Sequence, residues 1–153
     1  MNGLVAAAGT PVCRSEWAVR EPPTSTVAPA ADSAPLLDAE RLDVYAVALQ
    51  FQGLAAVLAS RADSVVRDQL RRASLSCVLN IAEGAGQRSR PQKRRFYAIA
   101  RGSAMECAAV VDVLRSGAVA SGPEARQGRS LLVRMVQMLT RLDQSLQTQP
   151  SGR

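Results

Sequence analysis

Apolar residues recur at steps of three and four through most of the chain. Val44, Val47, Ala48, Phe51, Leu54, Ala55 and Leu58 keep that spacing over four turns and predict a first helix. Tyr45 and Leu49 widen its stripe, so this helix needs neighbours on more than one side. A second helix is predicted from Asp63 to Glu83, with Val66, Leu70, Ala73 and Cys77 as inner seam and Val78 and Ile81 beside it. Asp63 is placed to cap it, because its carboxylate can accept from the free N–H groups of the first turn. Gly84 or Gly86 is expected to end it in the left-handed conformation. A third helix follows Ser89, whose spacing to Gln92 matches a capping box, with Pro91 in the first turn where its missing N–H does no harm. Phe96, Ile99, Ala100, Ser103, Cys107, Val110, Val111 and Leu114 form its apolar side. Gly102 costs that helix roughly 1 kcal/mol relative to Ala, which predicts a close helix approach at Gly102-Ser103-Ala104. Ser116-Gly117 and Ser121-Gly122-Pro123 bound the next turn, and Leu132, Met135, Leu139, Leu142 and Leu146 make a heptad seam in a fourth helix.

Four helices, short connections and no strand pattern predict an all-α, antiparallel up-and-down four-helix bundle over residues 37–147. Residues 1–36 are rich in Ala, Pro, Ser and Thr without an apolar period and read as a disordered N-terminal tail. Docking of that tail through Trp17 and Val19 is the alternative, and residues 148–153 read as a flexible C-terminus.

Composition narrows the chemistry. Aromatics are 3% against 47% hydrophobic residues, so the core is built from Ala, Val and Leu and little is left for stacking bases. The chain has no histidine, which removes the commonest general base and metal ligand. Cys13, Cys77 and Cys107 are widely spaced and make neither a disulfide framework nor a zinc site, which fits a reduced, cytoplasmic setting. No basic segment precedes the short N-terminal apolar run, and no apolar run approaches the ~18 residues of a membrane span, so neither export nor a membrane partner is expected. Ser76, Ser89 and Ser103 lack a base, Glu83 lacks a second carboxylate, and Gly84-Ala85-Gly86 lacks the Lys of a phosphate loop. No catalytic residue, metal or cofactor is expected.

Charge is more informative. The net charge is +6, with eighteen Arg and one Lys. Residues 67–101 hold nine basic and two acidic side chains, a local excess of +7, so the rest of the chain sums to −1. Arg88, Arg90, Lys93, Arg94 and Arg95 crowd the turn into the third helix, where cations oppose the helix dipole and call for an anionic partner. Arg88, Arg90, Lys93 and Arg94 are therefore candidate nucleic-acid contacts. Arg95 is assigned instead to an internal pair with Glu83, for which Arg72 is the other choice, and Glu106 to Arg71 or Arg72. An ordinary basic surface with internal ion pairs, or an acidic protein partner, accounts for the same cluster.

The segment from Gln69 to Leu114 resembles the bacterial four-helix-bundle family encoded in intervening sequences of 23S rRNA genes. The likeness is carried by Leu70-Arg71-Arg72-Ala73, Ser76, Asn80-Ile81-Ala82-Glu83-Gly84, Gly86, Ser89, Arg95-Phe96, Ile99-Ala100, Gly102-Ser103 and Glu106. It extends more weakly over residues 40–146, and Gln92-Lys93-Arg94 stands where the family often has an acid. The resemblance implies a bundle that often assembles as a homopentameric ring, without known catalytic activity. It also implies an association with RNA, since a related bundle joins a reverse transcriptase and RNA in diversity-generating retroelements. The expectation is a non-enzymatic homo-oligomer that binds RNA or DNA through the basic turn. The alternative is a protein-interaction scaffold or accessory subunit, for example of a reverse transcriptase, with no nucleic-acid binding of its own.

Overall fold

The computed structural model describes residues 35–148; most of the expected tail and the last residues of the C-terminus lie outside that range. A single 3₁₀ turn, Asp38–Arg41, leads into α1 (Asp43–Arg61), α2 (Ser64–Gly86), α3 (Arg90–Ser116) and α4 (Gly122–Thr148). Among the described residues there is no strand. Each helix packs mainly on its neighbours in sequence, and α1 closes the ring of contacts against α4. That is the up-and-down bundle which short connections favour.

The core follows the predicted seams. Phe51 and Leu58 of α1, Leu70 and Ile81 of α2, and Leu132, Met135 and Leu139 of α4 are its largest fully buried side chains. Small residues fill the rest: Ala48, Ala55, Ala73, Ala100 and Ala104 are all buried. Cys77 and Cys107 are both fully buried within this cluster. A hydrogen bond with Cys77 and burial both push the Cys107 thiol well above its ordinary range, so it stays protonated and behaves as a small apolar residue. With 19 residues and a mean hydropathy of 1.3, α1 does reach the length and composition of a membrane span, unlike the apolar runs read from the sequence. Seven of its residues line the bundle core.

One cap stands where it was predicted and another does not. Asp63 Oδ1 accepts from the N–H groups of Val65 at 2.9 Å and Val66 at 3.1 Å. Ser89 holds the N-cap position of α3 but its side chain makes no capping bond, so no Ser89–Gln92 box forms. Only the Ser89 carbonyl serves the first turn, accepting from Lys93 N–H at 2.9 Å. The capping box lies instead at α4. Ser121 Oγ accepts from Glu124 N–H at 3.4 Å, and Glu124 Oε2 accepts in return from the N–H of Ser121 at 2.9 Å and its hydroxyl at 2.8 Å. Glu124 Oε1 also pairs with Arg61 of α1 at 2.6 Å. That pairing, then the bonds from Ser121, hold the Glu124 carboxyl down to about 2.

The glycines behave differently from the sequence expectation. Helix α2 runs through Gly84 and ends at Gly86, with extended Gln87 as its C-cap, and neither glycine adopts a positive φ. Nor does a neighbouring helix approach Gly102: a Cβ there would meet nothing within 4 Å. The close approach is at Gly84. A Cβ on it would lie 2.6 Å from Tyr97 Cε1, 2.8 Å from Cδ1 and 3.2 Å from Phe96 Cβ. Tyr97 of α3 is thus the buried aromatic, 4% exposed, while Ile99, predicted on the inner side, is 42% exposed.

Candidate nucleic-acid interface

Helices α2 and α3 run antiparallel, so contacts pair a rising number on one with a falling number on the other. Gln69 faces Glu106, Ser76 faces Ser103, Cys77 faces the carbonyl of Ala100, and Gly84 faces Tyr97. This register explains several motif residues at once. The Asn80 amide donates to the Ser76 carbonyl at 2.8 Å and to Ser76 Oγ at 3.1 Å. Ser76 Oγ in turn bonds Ser103 Oγ at 2.8 Å, across to α3. Asn80, Ser76 and Ser103 therefore form one half-buried polar link between the helices. Its partners are close enough to satisfy one another, which is the condition for burying them cheaply.

The expected ion pairs are rearranged. Glu83 is exposed and makes no ion pair among the described residues, so the Glu83–Arg95 and Glu83–Arg72 pairs are not formed. Glu106 takes an amide hydrogen from Gln69 rather than a guanidinium, and Arg72 Nη2 donates to the other end of the same amide at 2.9 Å. Gln69 thus bridges Arg72 and Glu106 and stands where a direct ion pair was expected.

The basic turn divides into working and free charges. Lys93 Nζ donates to the Ala85 carbonyl at 2.8 Å, so it closes one of the open carbonyls at the end of α2. Arg94 Nε pairs with Asp143 at 2.8 Å and ties the start of α3 to α4. Arg95, not Arg94, is the one left outward. It and Arg88 are exposed and make no ion pair among the described residues. Arg90 is half-buried in the first turn of α3 and has interactions of its own. Of the four predicted contacts, Arg88 remains wholly available, Arg90, Lys93 and Arg94 are engaged, and Arg95 joins the available set. Sequence position alone cannot make this division, because Arg94 and Arg95 differ by 100° around α3, which only the location of Asp143 resolves. Among the described residues no cluster of three or more Cys, Asp or Glu side chains could hold a metal ion.

The antiparallel bundle thus carries a Ser–Asn–Ser link between α2 and α3, an aromatic seated on a helical glycine and an arginine-rich turn. Residues 40–141 match the family described as 23S rRNA-intervening sequence protein, and the chain belongs to that family. No curated protein matches it.

Proposed function

We propose that this protein is a non-enzymatic homo-oligomer that associates with RNA through the α2–α3 turn. The observation that carries the reading is the pair of guanidiniums, Arg88 and Arg95, left exposed beside a turn whose other basic groups are already engaged. Two arginines with no carboxylate partner among the described residues can take phosphate oxygens, and guanidinium geometry suits that bidentate contact. Membership in a family named for an rRNA intervening sequence agrees with an RNA partner. The few aromatics argue for contacts to the backbone and against base readout.

Support for self-assembly comes from the outer faces. Leu49 and Val57 of α1, Leu75 and Leu79 of α2, and Ile99 and Met105 of α3 are each more than 40% exposed. Leu75 and Leu79 stand one turn apart on one side of α2, so they form a stripe. Exposed apolar stripes of this kind are covered in closed, symmetric assemblies. A pentameric ring would repeat the basic turn once per subunit and strengthen weak single contacts. The same apolar surface suits the scaffold reading, in which the ring itself is the functional unit. Sedimentation and direct binding separate the two. The proposal expects an oligomer at micromolar concentration that binds structured RNA and ignores a polyacidic peptide. A monomer, or an oligomer that prefers the acidic peptide, overturns it.

A further inference from the structure

The basic turn holds only part of the exposed positive charge. At the opposite end of the bundle, Arg115 at the end of α3 and Arg126, Arg129 and Arg134 of α4 line an open cleft of about 560 Å³. Its remaining lining is Ala125, Ser130, Val133 and Gln137. Arg90 and Arg115 lie 25 residues apart on α3, about 37 Å along its axis, and on α4 the nearest cleft arginine, Arg134, stands nine residues, about 14 Å, from Asp143, the partner of Arg94. They are separate sites.

Four guanidiniums line this cleft, and no carboxylate is part of its lining. Asp112 of α3 holds Arg129 through a 3.0 Å ion pair. Arg115, Arg126 and Arg134 make no ion pair among the described residues, and all three are exposed. Arg126 reaches back toward Gly122, where a Cβ would stand 3.3 Å from its Nη1, so its charge adds to the positive end of the α4 dipole. Like charges gathered on a helix are mutually destabilising. Arg115, Arg126 and Arg134 have no carboxylate partner among the described residues, which contrasts with Lys93 and Arg94, each held by a partner. From Arg126 to Arg134 the cleft spans about 12 Å of helix axis, wider than one phosphate group. Ser130 and Gln137 add neutral hydrogen-bonding groups, and no aromatic side chain is present for stacking a base.

We infer that the Arg115–Arg126–Arg129–Arg134 cleft is a binding site for a chain of linked phosphate groups. Guanidiniums spaced along one helix face match charges repeated along a ligand better than they match a single anion. Free oligophosphate and the backbone of a single-stranded nucleic acid share this chemistry. The inference is independent of the role proposed for the basic turn.

The test uses the full chain and calorimetric titration with tripolyphosphate at low salt, for the parent and three variants. In Arg126→Gln/Arg134→Gln, affinity should fall on the order of tenfold or more, the effect of losing about 1.4 kcal/mol of interaction. Asp112→Asn should bind more tightly, because it frees Arg129 from its ion pair. Arg88→Gln/Arg95→Gln removes the turn's own phosphate contacts, and the tripolyphosphate binding that persists in it is the cleft's. Competition by oligouridylate identifies a nucleic-acid backbone as the ligand, and its failure to compete identifies free oligophosphate. No binding by the parent, or unchanged binding in Arg126→Gln/Arg134→Gln with an unchanged thermal midpoint, overturns the inference. The Arg88→Gln/Arg95→Gln variant reports on the turn alone, so either site can fail without the other.

Discussion

Replacing Gly84 with Ala adds one methyl group at the tightest point between α2 and α3. In a helix interior the change should help, since Ala is favoured over Gly by about 1 kcal/mol. Here the new Cβ would stand 2.6 Å and 2.8 Å from two ring atoms of Tyr97 and 3.2 Å from Phe96 Cβ. Comfortable carbon contacts lie at about 3.5–4.0 Å, so the ring must retreat by roughly 1 Å. Tyr97 is buried, and the ring flank cannot swing into solvent as a long flexible chain would. Overpacking of this kind costs about 1–3 kcal/mol, and the severity of these contacts places it in the upper part of that range. After the helix gain, a net loss of about 1–2 kcal/mol remains, a fall in thermal midpoint of roughly 4–8 °C for a domain of this size. Thermal unfolding followed by far-UV circular dichroism measures it, and Tyr97→Leu in the Gly84→Ala background should recover part of the loss as a coupling energy. A Gly84→Ala protein that melts at or above the parent refutes the packing argument.

The same substitution at Gly102 meets open space, so Gly102→Ala should stabilise by about 1 kcal/mol and raise the midpoint by a few degrees, the opposite sign to Gly84. Asp63→Ala removes the acceptor for two N–H groups of α2 and should cost about 1 kcal/mol in denaturant unfolding. The Glu124 carboxyl is lowered from 4.5 to about 2 in the folded state. Its contribution to stability is therefore complete above about pH 4.5 and is lost as pH falls from there toward 2. Glu124→Gln should remove that part of the pH dependence, read as a shallower change of unfolding midpoint between those two pH values.

Helix number, order and inner seams could be read from spacing because burial of one face imposes the 3.6-residue period directly. Asp63 was equally legible: a carboxylate just before an apolar run has one obvious local use. The Ser89–Gln92 box failed while Ser121–Glu124 formed, although both segments carry a capping signature. The difference is tertiary. Glu124 is held in place by Arg61 from another helix, whereas at the α3 start it is Lys93, not Ser89 or Gln92, that bonds to the α2 end. Gly84 was misread for a similar reason, because a glycine before a turn suggests a left-handed stop, and only the position of Tyr97 shows that it is needed as a notch. The arginines of the α4 cleft are spread over residues 115–134, so no local run of charge marks them. Helix periodicity and the α3–α4 turn bring them together. In the basic turn the sequence located the cluster but could not assign partners, because Asp143 lies 49 residues from Arg94.

The claim that this bundle grips RNA by phosphate is tested most directly by the salt dependence of its affinity. Each phosphate neutralised on a single strand contributes a slope of about −0.7 to the plot of log affinity against log salt. With Arg88 and Arg95 repeated in an oligomer, the parent should fall more steeply than two contacts alone, about −1.4, and by similar amounts for unrelated sequences. Arg88→Gln/Arg95→Gln should bind more weakly and with a shallower slope while keeping the parent's thermal midpoint. No RNA binding by the parent at low salt, or the same slope in parent and variant, contradicts it.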